Sequence, residues 1–340
     1  MENDKIKKYN PKVSIIIPTY NVEPYLLQCL KSIADQTYNN IECIIIIDGA
    51  TDNSFDIAKN FCKHDNRFNV YWQENAGSGP ARNNGIKHAN GSFIIFIDPD
   101  DWVKKDYIER LLYAQNEGDF DLVTSASDDY YFSKDKILTY IKEMNVQDEI
   151  IRGIKQVRNR YAFLLNKSLI CSPTKILYKK DIIDKNNIEF PDLRRSQDIV
   201  FNYRYYNYIS SVRVLNYHGY CYRIEFSQRL NRLKPDYYKT IKTLFAETKQ
   251  LHLKWNEYKN INLIANIYLN SLSAAIESCV ATNKPISHIL NDKELQQMVN
   301  LSSVHSISQI CFKTLFRLKM LKLMRLMMKI KHKIKQKKFE

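Results

Sequence analysis

Three carboxylates crowd into four residues at Asp98-Pro99-Asp100-Asp101, between Ile97 and Trp102. Charges of one sign this close repel one another unless a cation sits among them. Carboxylates alternating along a short extended turn can present their oxygens to one hard ion, Mg or Mn by ligand type. That ion would hold a diphosphate and neutralise the charge gathering on it as it leaves. The same residues also suit the cap of a helix from Lys104 to Tyr113, where Asp satisfies free amides and meets the positive end of the dipole.

The elements that must position this turn alternate in type. Val13 to Pro18 is a β-branched run closed by the polar turn Thr19-Tyr20-Asn21. Apolar Tyr25, Leu26, Cys29, Leu30 and Ile33 then predict a helix from Glu23 to Gln36. Ile41 to Ile47 is an almost wholly apolar strand of the kind covered on both faces. It runs into Asp48-Gly49-Ala50-Thr51-Asp52-Asn53-Ser54, a turn and a capped helix start. A strand at Phe68 to Trp72, a Gly-rich loop, a helix from Ala81 to Ala89 and a strand from Ser92 to Ile97 follow. This β-α-β-α-β order predicts an α/β fold with a doubly wound, mostly parallel sheet, whose ligands sit beyond the carboxyl ends of the strands. The clusters PTYN, DGATDNS and DPDD all fall at such ends.

Further on, a helix is expected at Tyr107 to Asn116, a strand at Asp121 to Ser125, and a helix-rich insertion through about Phe163. After Asn231 the pattern is helical, at Tyr237 to Glu257, Asn262 to Ala281 and Ile286 to Asn300. The expected division is 1–230, 231–311 and a basic tail at 312–340.

With 340 residues, 44% of them hydrophobic and 26% charged, the composition is that of a globular protein, not a fibrous or disordered one. The seven cysteines are odd in number and never spaced CxxC, which suits neither a disulfide framework nor a zinc site. The opening MENDKIKKYN lacks the apolar core of a signal peptide, and no stretch reads as the ~20 uncharged apolar residues of a spanning helix. The expectation is a cytoplasmic protein.

The formal charge of +14 calls for nucleic acid, an anionic membrane surface or an acidic substrate. Its location decides. From Lys313 to Lys338 there are eleven Lys or Arg residues and no acid. On one helix, Phe316, Met320, Leu323, Met324, Met327, Ile330 and Ile334 would share a face, with Lys319, Lys322, Arg325, Lys329 and Lys333 opposite. That pattern suits an amphipathic helix lying in an anionic membrane interface, hence a peripheral protein on the inner face of the cell membrane. A terminal helix packed on the preceding domain would show it too. No nucleic-acid signature accompanies the charge, so nucleic acid is excluded as a partner.

In order and spacing, VSIIIPTYNVEPYLLQCLKSIADQTY, IECIIIIDGATDNS, ENAGSGPARNNGIKHANGSFIIFIDPDDW, and FPDLRRSQDIVF followed by YCYR resemble the family 2 glycosyltransferases. The resemblance covers Lys12 to Ser227 and implies the GT-A fold and inverting transfer. The donor it implies is a UDP-sugar carrying a hexose or N-acetylhexosamine. The acceptor would be a glycan hydroxyl, lipid-linked, in bacterial surface polysaccharide synthesis, with Mn or Mg as cofactor.

By motif, the resemblance puts Pro18 and Tyr20 against the base and Asp48 on the uracil edge. Asn75 and Arg82 would hold base and nucleotide, with Gly77 and Gly79 keeping their loop close to the ligand. Asp98 would lie near the ribose and share the metal with Asp100, while Asp101 would cap the next helix or face the acceptor. Asp198 falls where the family has its catalytic base, and Arg223 and Ser227 fall where a segment closes over the diphosphate. His218 is either a metal or phosphate contact or a structural ring, and Lys175 by default a solvated lysine. Two positions depart from the pattern: Ile47 and Gln197 stand where the family usually has acids. A catalytically silent sugar-nucleotide-binding protein is the competing class. A nucleotidyltransferase would need a Gly-rich basic loop after the first strand, and PTYN is not one.

Overall fold

The computed structural model describes residues 10–193, 195–225, 236–304 and 306–337, with side chains through residue 334. The chain divides into two compact units, one of residues 1–157 and 167–227, the other of 158–166 and 228–340.

In the first unit the β-branched runs become the centre of the sheet, because their side chains can be covered on both faces. Strands β1 (Val13–Thr19) and β2 (Ile41–Asp48) are buried along their whole length. With β3 (Phe68–Gln73) and β4 (Phe93–Phe96) they form a parallel set in the order β3-β2-β1-β4, Val13 lying opposite both Ile41 and Phe93. Helices α1 (Glu23–Ala34), α2 (Ser54–Cys62) and α3 (Ser78–His88) are the crossovers. Helix α1 buries Leu26, Cys29, Leu30 and Ile33, four of the five residues of its expected apolar face.

The sheet continues through β5 (Trp102–Val103), β6 (Leu122–Phe132), β7 (Leu138–Glu143), β8 (Glu149–Arg152), β9 (Ile176–Lys179) and β10 (Ser211–Ile224). Strand β9 runs antiparallel between β4 and β6, while β6 and β10 are parallel to one another. The helices here are α4 (Tyr107–Asn116), α6 (Lys180–Lys185) and α7 (Gln197–Tyr206), while α5 (Ile154–Asn166) starts in this unit and from residue 158 is counted with the second. The insertion expected to be helix-rich is instead largely strand: β6 and β7 pair antiparallel, with Tyr131 stacked on Tyr140 at 4.2 Å. Aromatic residues at Tyr130, Tyr131 and Phe132 fit a pleated surface better than a helix. Only α5 is helical within that stretch.

The second unit holds α8 (Tyr237–Lys254), α9 (Ile261–Ala281), α10 (Ser287–Asn291), α11 (Lys293–Leu301), α12 (Ile307–Arg317) and α13 (Leu321–Lys337). Helix α9 packs against α8, α11 and α13. Residues Tyr258–Ala281 are long and apolar enough to cross a membrane by length and composition, which the sequence reading did not find. Scattered Asn262, Asn266 and Asn270 disguise the stretch, and 56% of its most apolar window is buried, as befits the core helix of a bundle.

The tail is two helices, not one. The chain breaks at Leu318 to Met320, where Lys319 adopts φ 52°. The expected apolar face is split as a result. Phe316 and Met324 are fully buried together with Phe312 and Met328, while Leu323, Leu326, Ile330 and Ile334 remain exposed. Lys331 donates to Ser273 on α9 at 2.9 Å, and His332 lies 3.5 Å from Glu277. One side of α13 therefore packs, as a terminal helix on the preceding bundle would, and the other side is open.

Candidate active site

The acidic turn follows β4 and is closed by the Asp101 amide donating to the Asp98 carbonyl at 3.0 Å. Its three carboxylates have separate fates. Asp101 is 1% exposed; one oxygen accepts the Tyr220 hydroxyl at 2.6 Å and the other the Arg223 amide at 2.8 Å. The Tyr220 oxygen in turn accepts the Asp98 amide at 3.2 Å. Burial, and then the charges of Asp100 and Asp98, push the Asp101 carboxyl well above the usual carboxylate range. Asp101 is thus a buried strut. It neither caps α4, whose N-cap is Asp106, nor faces an acceptor.

Arg223 braces the same turn from behind. Its Nε donates to the Asp100 carbonyl at 2.8 Å and its guanidinium donates to Gln28. Around it stand the rings of Tyr25, Trp102 and Phe132 at 4.8, 4.9 and 4.7 Å, a cation–π cage. In this structure Arg223 shapes the acidic turn through its backbone; Ser227, expected beside it over the diphosphate, lies outside the described residues.

Asp98 and Asp100 stay partly exposed, and Asp98 meets the other half of the site through Arg82. Arg82, 4% exposed on α3, donates through one terminal nitrogen to Asp98 at 2.8 Å and through the other to Asp198 at 2.9 Å. Asp98 follows β4 and Asp198 lies in the first turn of α7, so one guanidinium ties together segments a hundred residues apart. Phe190 lies 5.4 Å below the guanidinium and stacks on Phe201 at 4.0 Å, fixing α7 against α3. Burial opposes the arginine charge, yet Asp198 and Asp98 hold its pKa above the ordinary value. For Asp198, burial raises the pKa, Arg82 draws it back and Asp98 adds to the rise. The Asp198 side chain keeps 29% of its surface open, so it is a partly open carboxylate, not a sealed one.

Nearer β2, Asp48 organises the neighbouring loop. Its carboxylate accepts the Gln73 side chain and the amides of Ala76 and Gly77, each at 2.8 Å, and its carbonyl accepts Asn75 at 2.9 Å. Gly49 adopts φ 65° with the Asn75 backbone so near that a Cβ would sit 2.7 Å from its nitrogen. Gly79 serves the protein's own packing: a Cβ there would fall 2.2 Å from the Gln197 side-chain oxygen Oε1, and the Gln197 side chain also donates to Ser78. Gly77 owes its identity to φ 99°. Tyr20, 49% exposed, projects at the end of β1, whereas Pro18 is buried inside that strand opposite Ile46.

His218 is partnered elsewhere. Nδ1 lies 2.5 Å from Asp128 and Nε2 3.2 Å from Asn216, so both ring nitrogens are taken within the β6–β10 region and neither is left for the ligand role expected of it. Lys175, expected to be solvated, is 6% exposed. Sequence reasoning missed Tyr220 and Gln28, whose roles depend on contacts made more than a hundred residues away; the signal that could have found them was their place inside the segments carrying the family resemblance.

Among the described residues no three His, Cys, Asp or Glu side chains converge as a metal set. Asp98 and Asp100 offer oxygen donors only, two in number. That set fits a hard cation such as Mg or Mn, which takes one or two carboxylates and completes its shell with water and phosphate oxygens.

Comparison with known proteins agrees with this geometry. The family model of glycosyl transferase family 2 matches residues 14–186. The putative glycosyltransferase EpsH of Bacillus subtilis (strain 168) is 34% identical over 252 residues, covering 72% of this chain and 70% of its own. Glycosyltransferase GlyG of Streptococcus pneumoniae serotype 4 is 36% identical over 214 residues, covering 62% of this chain and 70% of GlyG. In structure, S. aureus TarS 1–349 in complex with UDP-GlcNAc superposes with a TM-score of 0.69 at 19% identity, over 95% of this chain and 92% of that one. This last likeness shows a shared fold, the GT-A type implied by the motifs.

Proposed function

The chain belongs to glycosyl transferase family 2, and on that premise we propose an inverting enzyme that moves a hexose or N-acetylhexosamine from a UDP-sugar to an acceptor glycan hydroxyl. The observation that carries this reading is the Arg82 bridge, which sets Asp98 of the acidic turn and Asp198 of α7 on one guanidinium. Asp198 accepts the proton of the attacking hydroxyl, and its burial makes it a stronger base than a surface carboxylate. The acceptor oxygen bonds to the anomeric carbon from the face opposite the diphosphate, the carbon–oxygen bond to the diphosphate breaks, and UDP leaves. Asp98 and Asp100 would hold Mn or Mg, which when bound neutralises charge on the departing diphosphate. Tyr20 and the Asp48-ordered loop from Asn75 to Gly77 flank the strand ends where the nucleotide would lie. TarS, sharing the fold, has been crystallised with UDP and with UDP-GlcNAc, which favours a uridine donor.

Screening UDP-sugars for UDP release with and without Mn or Mg tests the activity. Asp198→Asn tests the base: turnover falls by about two to four orders of magnitude while UDP binding persists. Unchanged turnover in that variant removes Asp198 from the mechanism. A protein that binds UDP-sugars but releases no UDP with any acceptor is the binding module instead.

The acceptor we assign is a lipid-linked glycan, reached from the inner face of the cell membrane. Support lies in the open side of α13, where exposed Leu323, Leu326, Ile330 and Ile334 run beside exposed Lys322, Lys329 and Lys333. Apolar residues can enter the interface while each lysine near an anionic leaflet contributes about 1 kcal/mol. Deleting the tail would remove buried Phe312, Phe316, Met324 and Met328 and damage the bundle, so the test is Leu326→Ser with Ile330→Ser. Full-length protein should bind phosphatidylglycerol vesicles, less so as salt rises, and the double variant should bind them weakly. Wild-type protein that ignores such vesicles at low salt refutes the membrane reading.

A further inference from the structure

Lys175 is the buried cation for which the reaction above has no use. It is 6% exposed and sits at φ 58°, a left-handed conformation uncommon for a side-chain-bearing residue. Its backbone is pinned at the sheet: the Ser125 amide donates to its carbonyl at 3.1 Å, and Thr174 beside it bridges Phe96, two residues before Asp98. Among the described residues its ammonium hydrogen-bonds to neutral groups, the Ser127 hydroxyl at 3.4 Å and the Met144 sulfur at 3.9 Å, and Asp129 acts on it at longer range. The two buried arginines of the active site differ. Arg82 has two carboxylates, and Arg223 has Glu225 at 3.9 Å with a cage of three rings. Among the described residues no carboxylate pairs with Lys175.

An ammonium taken out of water without a counter-ion is destabilising, and the cost is offset when an anion arrives. Burial accordingly lowers the Lys175 pKa to about 8, with Cys171 and Asp129 opposing the fall, so much of it is still charged near neutrality. Its position points to the acceptor side of the site. Asn202, one turn along α7 from Asp198, donates to the carbonyls of Ile170 and Ser172 at 2.8 and 3.2 Å. That pins the segment leading to Lys175 against the helix bearing Asp198, and the Cys171 thiol lies within electrostatic reach of both residues.

We propose that Lys175, with the Ser127 hydroxyl, forms a subsite for an anionic group of the acceptor, a phosphate or a sugar carboxylate, beside Asp198. The acceptor side is defined here by the reading of Asp198 as base, and the two ideas can fail separately.

The test uses the full-length protein and three acceptors: a neutral hexoside, a hexose phosphate and a hexuronide. Lys175→Met keeps an unbranched side chain one atom shorter and removes its charge. Its KM for an anionic acceptor should rise about 30-fold or more, the cost of losing a buried charge partner, with less than about threefold change for the neutral hexoside. Whichever anionic acceptor suffers more identifies the source, phosphate or carboxylate. Inorganic phosphate should raise the melting temperature of the wild type and not of the variant. Without phosphate the variant should melt no lower than the wild type, because an uncompensated charge has gone. Equal KM losses for neutral and charged acceptors, or a variant that melts lower and responds to phosphate like the wild type, make Lys175 a packing residue and overturn the subsite. Asp198→Asn separates the two readings. Normal transfer by that variant alongside charge-selective loss in Lys175→Met sinks the base and keeps the anion subsite.

Discussion

The carboxyl edge of the sheet and the last helix are both rich in charge, yet charge is organised differently in each. At the sheet edge, Asp98, Asp101, Arg82 and Arg223 find partners across the fold, and the contacts of Arg82 with Asp198 and of Arg223 with Asp100 and Asp101 depend on chain brought from more than a hundred residues away. On α13, lysines fall where a 3.6-residue period puts them, and most face water. The contrast shows what burial does to an ionic group. In the first region a charge has a specific partner or a displaced pKa; in the second it has a side of a helix.

The largest expected effect lies in the first region. Asp100→Ala should abolish transfer and the response to Mn or Mg, while the variant stays folded, since Arg223 grips the Asp100 backbone carbonyl rather than its side chain. Near-normal, chelator-sensitive transfer by this variant would put the metal on other residues.

Second in size comes the packed side of α13. Met328→Ala should lower stability by about 2–5 kcal/mol in chemical denaturation, the usual range for truncating a fully buried methionine. A change near zero would mean that this helix is held far more loosely than the sheet edge.

A smaller effect is a pH dependence confined to the first region. Asp101 is raised in the folded chain by burial and by Asp100 and Asp98, so the folded protein keeps a proton that the unfolded chain releases. Its contribution is fully present below the unfolded pKa of about 3.9 and is lost as pH rises through the folded value. Asp101→Asn should therefore gain on the wild type in melting temperature as pH climbs from that point. A difference between the two proteins that stays constant with pH would show that Asp101 is ionised as readily folded as unfolded.

The smallest effect belongs to the open side of α13. Leu326→Ser, at a position 55% exposed, should shift stability by no more than about 0.5 kcal/mol. A loss comparable with that of Met328→Ala would mean that this face is covered by protein.

How much of this was legible beforehand depends on the range of the interaction involved. Val13 to Thr19, Ile41 to Asp48 and the apolar face of α1 were readable because periodicity and β-branching act within a few residues. The insertion after β6 was misjudged because strand pairing is a long-range event that weak local preference does not report. The tail was half read: its amphipathic period is local, but the αL break at Lys319 and the side chosen by α9 are not.

At the site, the order of the motifs determined the family and the positions of Asp98, Asp100 and Asp198, because those residues lie in short segments with fixed places at strand ends and a helix start. Tertiary structure alone decided which aspartate is buried and which is open, that Arg82 joins two of them, that His218 turns to Asp128, and that no carboxylate among the described residues pairs with Lys175. The reason is physical: sequence fixes which groups carry charge, but the free energy of a charge depends on the water removed and the partners supplied, and folding supplies both.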